Sequence, residues 1–199
     1  MTGLSALWPF KRKDPYEDFY LNARAADPRN EIDRRIREAA EGSVFAVRAE
    51  THTPEIMAQH IRDLGKFFSA DLTRIVEATR LHGLLDGATT PEGEQVDPRD
   101  LPYAVFVCFR AEHDGRDHPG AGGRATTLRG SFATFQMASI IREYGFRATR
   151  VGLIDIDRAA VTAGIGKLNP SGRLQAPGFG TKIHVADVIF TDLPVAPEP

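Results

Sequence analysis

Cysteine is nearly absent: Cys108 is the single one among 199 residues. No internal disulfide can form and no cysteine zinc site is available. An iron–sulfur cluster takes about four thiolates, so this chain cannot hold one alone. Long apolar runs are missing too, and no stretch reaches the ~18–20 residues that cross a bilayer. Neither sign of charge dominates: 25 basic and 27 acidic residues leave a formal net charge of −2. A global basic field for nucleic acid or an anionic membrane surface is therefore excluded. At the start, Leu4, Leu7, Trp8 and Phe10 precede Lys11-Arg12-Lys13. A secretory signal has the reverse order and ends in a small-residue cleavage site. A cytoplasmic protein is expected.

What is present suits a folded domain. Hydrophobic residues make up 42% and charged residues 26%, close to the globular average and far from a disordered composition. Residues 1–27 mix aromatic and charged side chains without period and are expected to form an N-terminal arm. Residues 28–199 are expected to form a single domain. Asp27-Pro28 carries a helix-start signal, with Ile32, Ile36 and Ala40 on one face and Gly42 at the end. Thr53-Pro54 repeats the signal for a helix to about Phe68, lined by Ile56, His60, Leu64 and Phe67. Ala70 to Ala78 reads as a strand and His82 to Asp100 as a surface loop.

Leu101 to Arg110 is apolar on both faces and reads as a central strand covered on both sides. A glycine-rich loop from His113 to Arg124 leads into a helix from about Leu128 to Tyr144, which Gly145 ends. Arg147 to Ile154 is expected as a strand, Asp157 to Ala163 as a short helix capped by Asp157, and Ile183 to Thr191 as the last strand. The fold class is α+β, a mixed sheet covered by helices. The two glycine-rich segments, His113–Arg124 and Gly164–Gly180, are placed to border one ligand cleft.

The second of these segments carries most of the information. Glycines there permit positive φ and close approach of backbone to a ligand. Asn169, Ser171, Gln175 and Thr181 supply uncharged donors and acceptors, and Lys167, Arg173 and Lys182 supply positive charge. That mix suits a large ligand with amide groups and a phosphate. Composition alone also admits a structural turn between helix and strand.

The order of residues adds to this. Ala163-Gly164-Ile165-Gly166, then Gly172, Leu174, Pro177 and Gly180, then Thr191-Asp192-Leu193-Pro194, follow the run A-G-L-G, G, L, P-x-x-G, strand, T-D-L-P. This run resembles the cobalamin-dependent reductive dehalogenases and the epoxyqueuosine reductases. Ile140 to Ala148 looks like the dehalogenase I-R-x-L-G-Y-x-A helix end, and His60 to Ile75 like its G-A-D-L-V-G-I segment. Tyr103 to Cys108 fits the core strand that follows. The resemblance spans roughly residues 52–195 and implies a nitroreductase-like fold that binds a corrinoid. It implies that Gly164, Gly166, Gly172, Leu174, Pro177 and Gly180 shape the cobalamin loop. Lys167, Asn169, Ser171, Arg173, Gln175 and Lys182 are candidate contacts by their chemistry.

The departures from those families are as informative. In both, T-D-L-P leads into a module with two iron–sulfur clusters, whereas here Val195 to Pro199 follow. Electrons would then come from a separate iron–sulfur or flavin protein. The position of the dehalogenase tyrosine, counted back from Arg142, is Thr127, whose hydroxyl is a far weaker acid than a phenol. The position of the epoxyqueuosine reductase aspartate is Arg150, with Asp155 and Asp157 out of register. No catalytic residue is assigned. Three readings stand: a reductase-type subunit, a non-catalytic cobalamin carrier or sensor, and a flavin-binding nitroreductase relative, and a homo- or hetero-oligomer is compatible with each. The run Glu112-His113-Asp114-Gly115-Arg116-Asp117-His118 reads as a solvated loop, so no metal site is expected. His184, in the last strand, reads as a core or edge histidine, with a place near the ligand as the alternative, and Cys108 reads as an inert small hydrophobe.

Overall fold

The computed structural model describes residues 15–22, 32–113, 118 and 120–199. The expected helix start at Asp27-Pro28 and the boundary between arm and domain lie outside them. The elements run α1 (Pro15–Asn22), α2 (Ile32–Glu38), α3 (Pro54–Phe67), β1 (Leu72–Glu77), a 3-10 turn (Ala78–Leu84), β2 (Tyr103–Arg110), α4 (Ala121–Glu143), β3 (Ala148–Val151), α5 (Ile156–Thr162), β4 (Lys167–Leu168), β5 (Leu174–Gln175), β6 (Ile183–Val185) and β7 (Val188–Thr191).

The strand expected to be covered on both sides is the centre of the molecule. Every residue of β2 from Ala104 to Phe109 has no exposed surface. Side chains alternate across a strand. Val105, Val107 and Phe109 therefore meet Met57, Ile61, Met137 and Ile141 of α3 and α4. Ala104, Phe106 and Cys108 meet Ala159, Ala160 and the 3-10 turn on the other face. The sheet order is β1-β2-β7-β3, with β6 also on β2, and all pairings among the described strands are antiparallel. The mixed sheet expected from the sequence differs for one reason. β2 and β3 run in the same direction, joined by the α4 crossover, but β7 lies between them and is antiparallel to both.

Several local expectations shift. Thr53 caps α3 through a bond from the Ile56 N–H, yet the buried stripe is Met57, Ala58, Ile61 and Gly65, while Ile56 and Phe67 are exposed. The sheet lies on the adjacent turn-face of that helix. α4 begins at Ala121, inside the stretch read as loop. There α1 packs so closely that a Cβ on Gly122 would lie 2.5 Å from the Leu21 side chain. At the other end Gly145 (φ +82°) stops α4, and the segment around Val47 crosses so close that a Cβ there would lie 2.6 Å from the Val47 carbonyl oxygen. The helix cap expected of Asp157 is supplied instead by Asp155, which accepts from the Arg158 N–H at 3.0 Å. The Asp157 carboxylate accepts from the Leu174 N–H and ties α5 to β5. The last strand is not continuous but splits into β6 and β7.

Two charged assemblies hold the layers together. Glu41 sits between Arg142 of α4 and Arg150 of β3. Arg150 is 1% exposed. It donates to Glu41 and to the Ile36 and Ala39 carbonyls at the end of α2, and its guanidinium lies 4.8 Å from the Phe135 ring centre. The second assembly is a strap. The Ala196 N–H bonds to Pro54 O, the Glu198 N–H bonds to Ile75 O, and Arg62 and Arg74 grip the Glu198 carboxylate. Removing one member of a buried ion cluster leaves uncompensated charge, at a cost of roughly 3–5 kcal/mol. Glu41→Gln is therefore expected to lower the free energy of unfolding by that amount, read from equilibrium unfolding as a lower urea midpoint at unchanged slope.

Candidate functional site

The split between β6 and β7 makes the site. The register of β6 on β2 pairs Phe109 with His184, whereas β7 pairs Val105 with Ile189. The two registers differ by one residue, so the chain carries a β-bulge at Ala186-Asp187. β7 continues the sheet to β3, but β3 ends at Val151 and the chain leaves at Gly152 toward α5. Among the described strands, β6 therefore has β2 as its one neighbour. The bonds Ala111 N–H to Lys182 O and Ala186 N–H to Val107 O bracket the pair Phe109–His184. By antiparallel alternation the N–H and C=O groups of Ile183 and Val185 point away from β2.

They point to a cleft of about 600 Å³. Its other walls are Thr126 and Thr127 from the first turns of α4, the segment 152–157, and Arg37 of α2. Both glycine-rich segments border it, through His113, His118 and Gly123 on one side and Arg173 on the other, where Thr181 and Lys182 just beyond the second segment continue the wall. The volume lies within the range of small-molecule sites.

The site residues expected from the sequence divide. Arg173 and Lys182 line the cleft. Asn169, Ser171 and Gly172 form the exposed tip of the β4–β5 hairpin. There the Asn169 side-chain oxygen accepts from the Ser171 N–H, the Ser171 hydroxyl and the Arg173 N–H, an Asx turn. Lys167 and Gln175 are exposed partners across that hairpin. Leu174 is buried in the core. Gly166 is enclosed by backbone, since a Cβ would lie 2.4 Å from the Gln175 carbonyl oxygen. Gly164 follows α5 next to the Arg74 guanidinium. Pro177 and Gly180 are exposed, and Gly180 pairs with Ala176 in a second small turn. Of the twelve, Arg173 and Lys182 border the cleft and the other ten do not.

The cleft also contains residues that the sequence did not assign. His184 lies in its wall, under α4, where Gly130 leaves room for the imidazole. Burial, reinforced by the Arg37 and Arg129 cations, pushes its pKa down to about 4, so the ring is neutral at pH 7. Asp187 projects from the bulge. Burial pushes its pKa up, against the opposing pull of Arg37 and Arg150. A signal for it existed: Asp187 is the one charged residue in the run Val185 to Thr191. Cys108 lies in the core, its thiol pushed up to about 12 by burial, and takes no part in the cleft. Among the described residues, no three His, Cys, Asp or Glu side chains are grouped to hold a metal. No helix among them is long and apolar enough to cross a membrane.

The fold defines a class. No protein-family model matches the sequence, and no curated protein matches it; the likeness is to solved structures. The chain shares its fold with a reductive dehalogenase described as B12-dependent: TM-score 0.63 at 19% identity, over 84% of this chain and 25% of that one. A second similar structure is the catabolic reductive dehalogenase NpRdhA with 3-bromo-4-hydroxybenzoic acid, at the same TM-score, identity and coverage. The epoxyqueuosine reductase of Bacillus subtilis aligns over 72% of this chain and 47% of its own, at 17% identity and a TM-score of 0.49. The chain thus spans about a quarter of the dehalogenases it resembles.

The His184 environment has a pH consequence. Its folded pKa lies below the unfolded value near 6.5, so protonation favours the unfolded chain. The stability it contributes is complete above pH 6.5 and is lost as pH falls toward 4. The thermal midpoint of the native chain is expected to drop across that window by more than that of His184→Gln. Paired calorimetric scans at each pH measure the difference.

Proposed function

We propose that this chain is a corrinoid-binding domain of reductase type on a nitroreductase-like fold, supplied with electrons by a separate iron–sulfur or flavin protein. The observation that carries the reading is the cleft at the open edge of β6, in a chain whose fold is shared over 84% of its length with a B12-dependent reductive dehalogenase.

The residues present fit such a group. A corrinoid is a wide macrocycle rimmed by amides and carrying one phosphate. The cleft presents the outward N–H and C=O groups of Ile183 and Val185, the hydroxyls of Thr126, Thr127 and Thr181, and the cations of Arg173 and Lys182. The hydroxyls and the strand edge match amides, and the cations match the phosphate. When bound, a corrinoid supplies cobalt-centred electron transfer to a substrate carbon. This chain's own residues do the rest. The outward N–H and C=O groups of Ile183 and Val185 on the β6 edge would hold the ligand's amides. Neutral His184 gives a hydrogen-bonding ring without a charge. Thr126 and Thr127, on the first turns of α4, set the depth of the cleft. The Asn169 turn and the Asp157–Leu174 bond hold the hairpin that carries Arg173 to the rim.

The reading places the clusters of the electron donor outside these 199 residues, in which Cys108 is the single thiol and a cluster takes about four.

Protein incubated with cobalamin and then desalted is expected to retain a corrinoid visible spectrum and cobalt, with no iron. Thr181→Arg, which fills the rim without touching the core, is expected to weaken retention at least tenfold. A colourless protein, or one that keeps flavin instead, overturns the reading.

A further inference from the structure

The cleft does not end at the bulge. A second cavity, of about 470 Å³, lies beyond it, bounded by Thr89, Thr90 and Arg150 and open toward the loop 89–93. The two cavities share three residues: Arg37, Gly152 and Asp187. Asp187 is 11% exposed and lies 3.7 Å from the Arg37 guanidinium, which is itself 46% exposed. Gly152 adds no side chain, and the position of its Cβ would fall 3.7 Å from the Asp187 carboxylate. One carboxyl group therefore borders both a ligand-sized cleft and a separate route to solvent.

We propose that Asp187 is the proton donor to a substrate reduced in the cleft, and that the second cavity is the route by which it is reprotonated. This rests on the reading of the cleft as a reductase site. The other acids and hydroxyls around the cleft are less suited. Asp157 accepts from the Leu174 N–H, Glu112 is exposed at the mouth, and threonine hydroxyls are too weakly acidic. His118 is bonded to Asn22 at the mouth, with the His113 ring 5.0 Å away. His184 is neutral at pH 7. The groups facing Asp187 are Arg37 of α2, Arg150 of β3, Glu41 after α2 and His184 of β6. Burial and Glu41 favour its protonated form, while the two arginines oppose it.

The step balances. A carbon–leaving-group bond breaks with two electrons from an external one-electron reductant. The carbon takes the Asp187 carboxyl proton and forms a carbon–hydrogen bond. The leaving group departs as an anion, and Asp187 is left as a carboxylate. Solvent in the second cavity returns one proton beside Arg37. The net change consumes two electrons and one proton per product.

The test has two arms. In the protein without added ligand, the infrared carbonyl band of a protonated carboxyl is followed with pH and assigned by its loss in Asp187→Asn. The band is expected to persist above the ordinary aspartate range, and further still in Arg37→Gln, where a cation that favours the carboxylate is gone. In the cobalamin-loaded protein, with titanium(III) citrate as reductant and 2,6-dibromophenol as probe, Asp187→Asn is expected to keep the corrinoid spectrum. It should lose roughly 10²–10⁴-fold in debromination rate, and Asp187→Glu should recover part of it. The rate should fall as pH rises, and that fall should move to higher pH in Arg37→Gln. A band that vanishes in the ordinary aspartate range overturns the proposal. So does an Asp187→Asn rate equal to wild type, or a loaded wild-type protein that yields no debrominated product. Failure to hold cobalamin at all is visible in the spectrum before reductant is added and overturns the preceding reading at its root.

Discussion

The fold depends on one carboxylate held between two arginines. Glu41 links the end of α2 to the last turn of α4 and to strand β3, 101 and 109 positions further along the chain. Arg150 contributes more than charge, since it also closes the open carbonyls of α2 and covers Phe135. A hydrophobic replacement could fill the volume but could not satisfy those carbonyls, which would be left buried without donors. The cluster also fixes the electrostatics of the cleft next door. Arg150 and Glu41 both act on Asp187, with opposite sign. The same ions that join the layers therefore set the charge of the carboxyl in the bulge.

Much of the scaffold was legible in the sequence because it rests on local rules. The uninterrupted apolar run of β2, the Thr53-Pro54 start of α3 and the Gly145 stop of α4 each follow from side-chain period or backbone geometry. The start of α4 was not legible: Gly122 reads as loop in isolation, and its packing against Leu21 of α1 is a long-range contact that the local sequence does not show. The buried face of α3 was misjudged by one position, since Ile56 and Phe67 are apolar yet face outward. Period alone does not say which apolar stripe meets the sheet.

The site was legible in part, and for a physical reason. Arg173 and Lys182, candidate contacts by their chemistry alone, lie in the wall of the cleft. Asn169 and Ser171 have the right chemistry for a ligand, but their polar groups serve the turn that they make. His184 and Asp187 were hidden because their placement depends on a register change of a single residue between β6 and β7. A bulge is a property of two strands paired together and leaves little trace in one strand's sequence. Only the charge of Asp187 within an apolar run marks it.

The strap at residues 196–198 has a consequence for the order of assembly. Its contacts close very long loops: Glu198 meets Arg74 and Arg62 across 124 and 136 positions. Such closures cost chain entropy that nearby contacts must first offset. During synthesis, α3 and β1 leave the ribosome long before the residues that tie them together. Until then β1 shows a bare edge with unpaired backbone groups, the kind of surface that recruits another strand. The nascent chain is thus most exposed to mispairing in the interval before residues 196–198 emerge, and chaperone protection would matter most there.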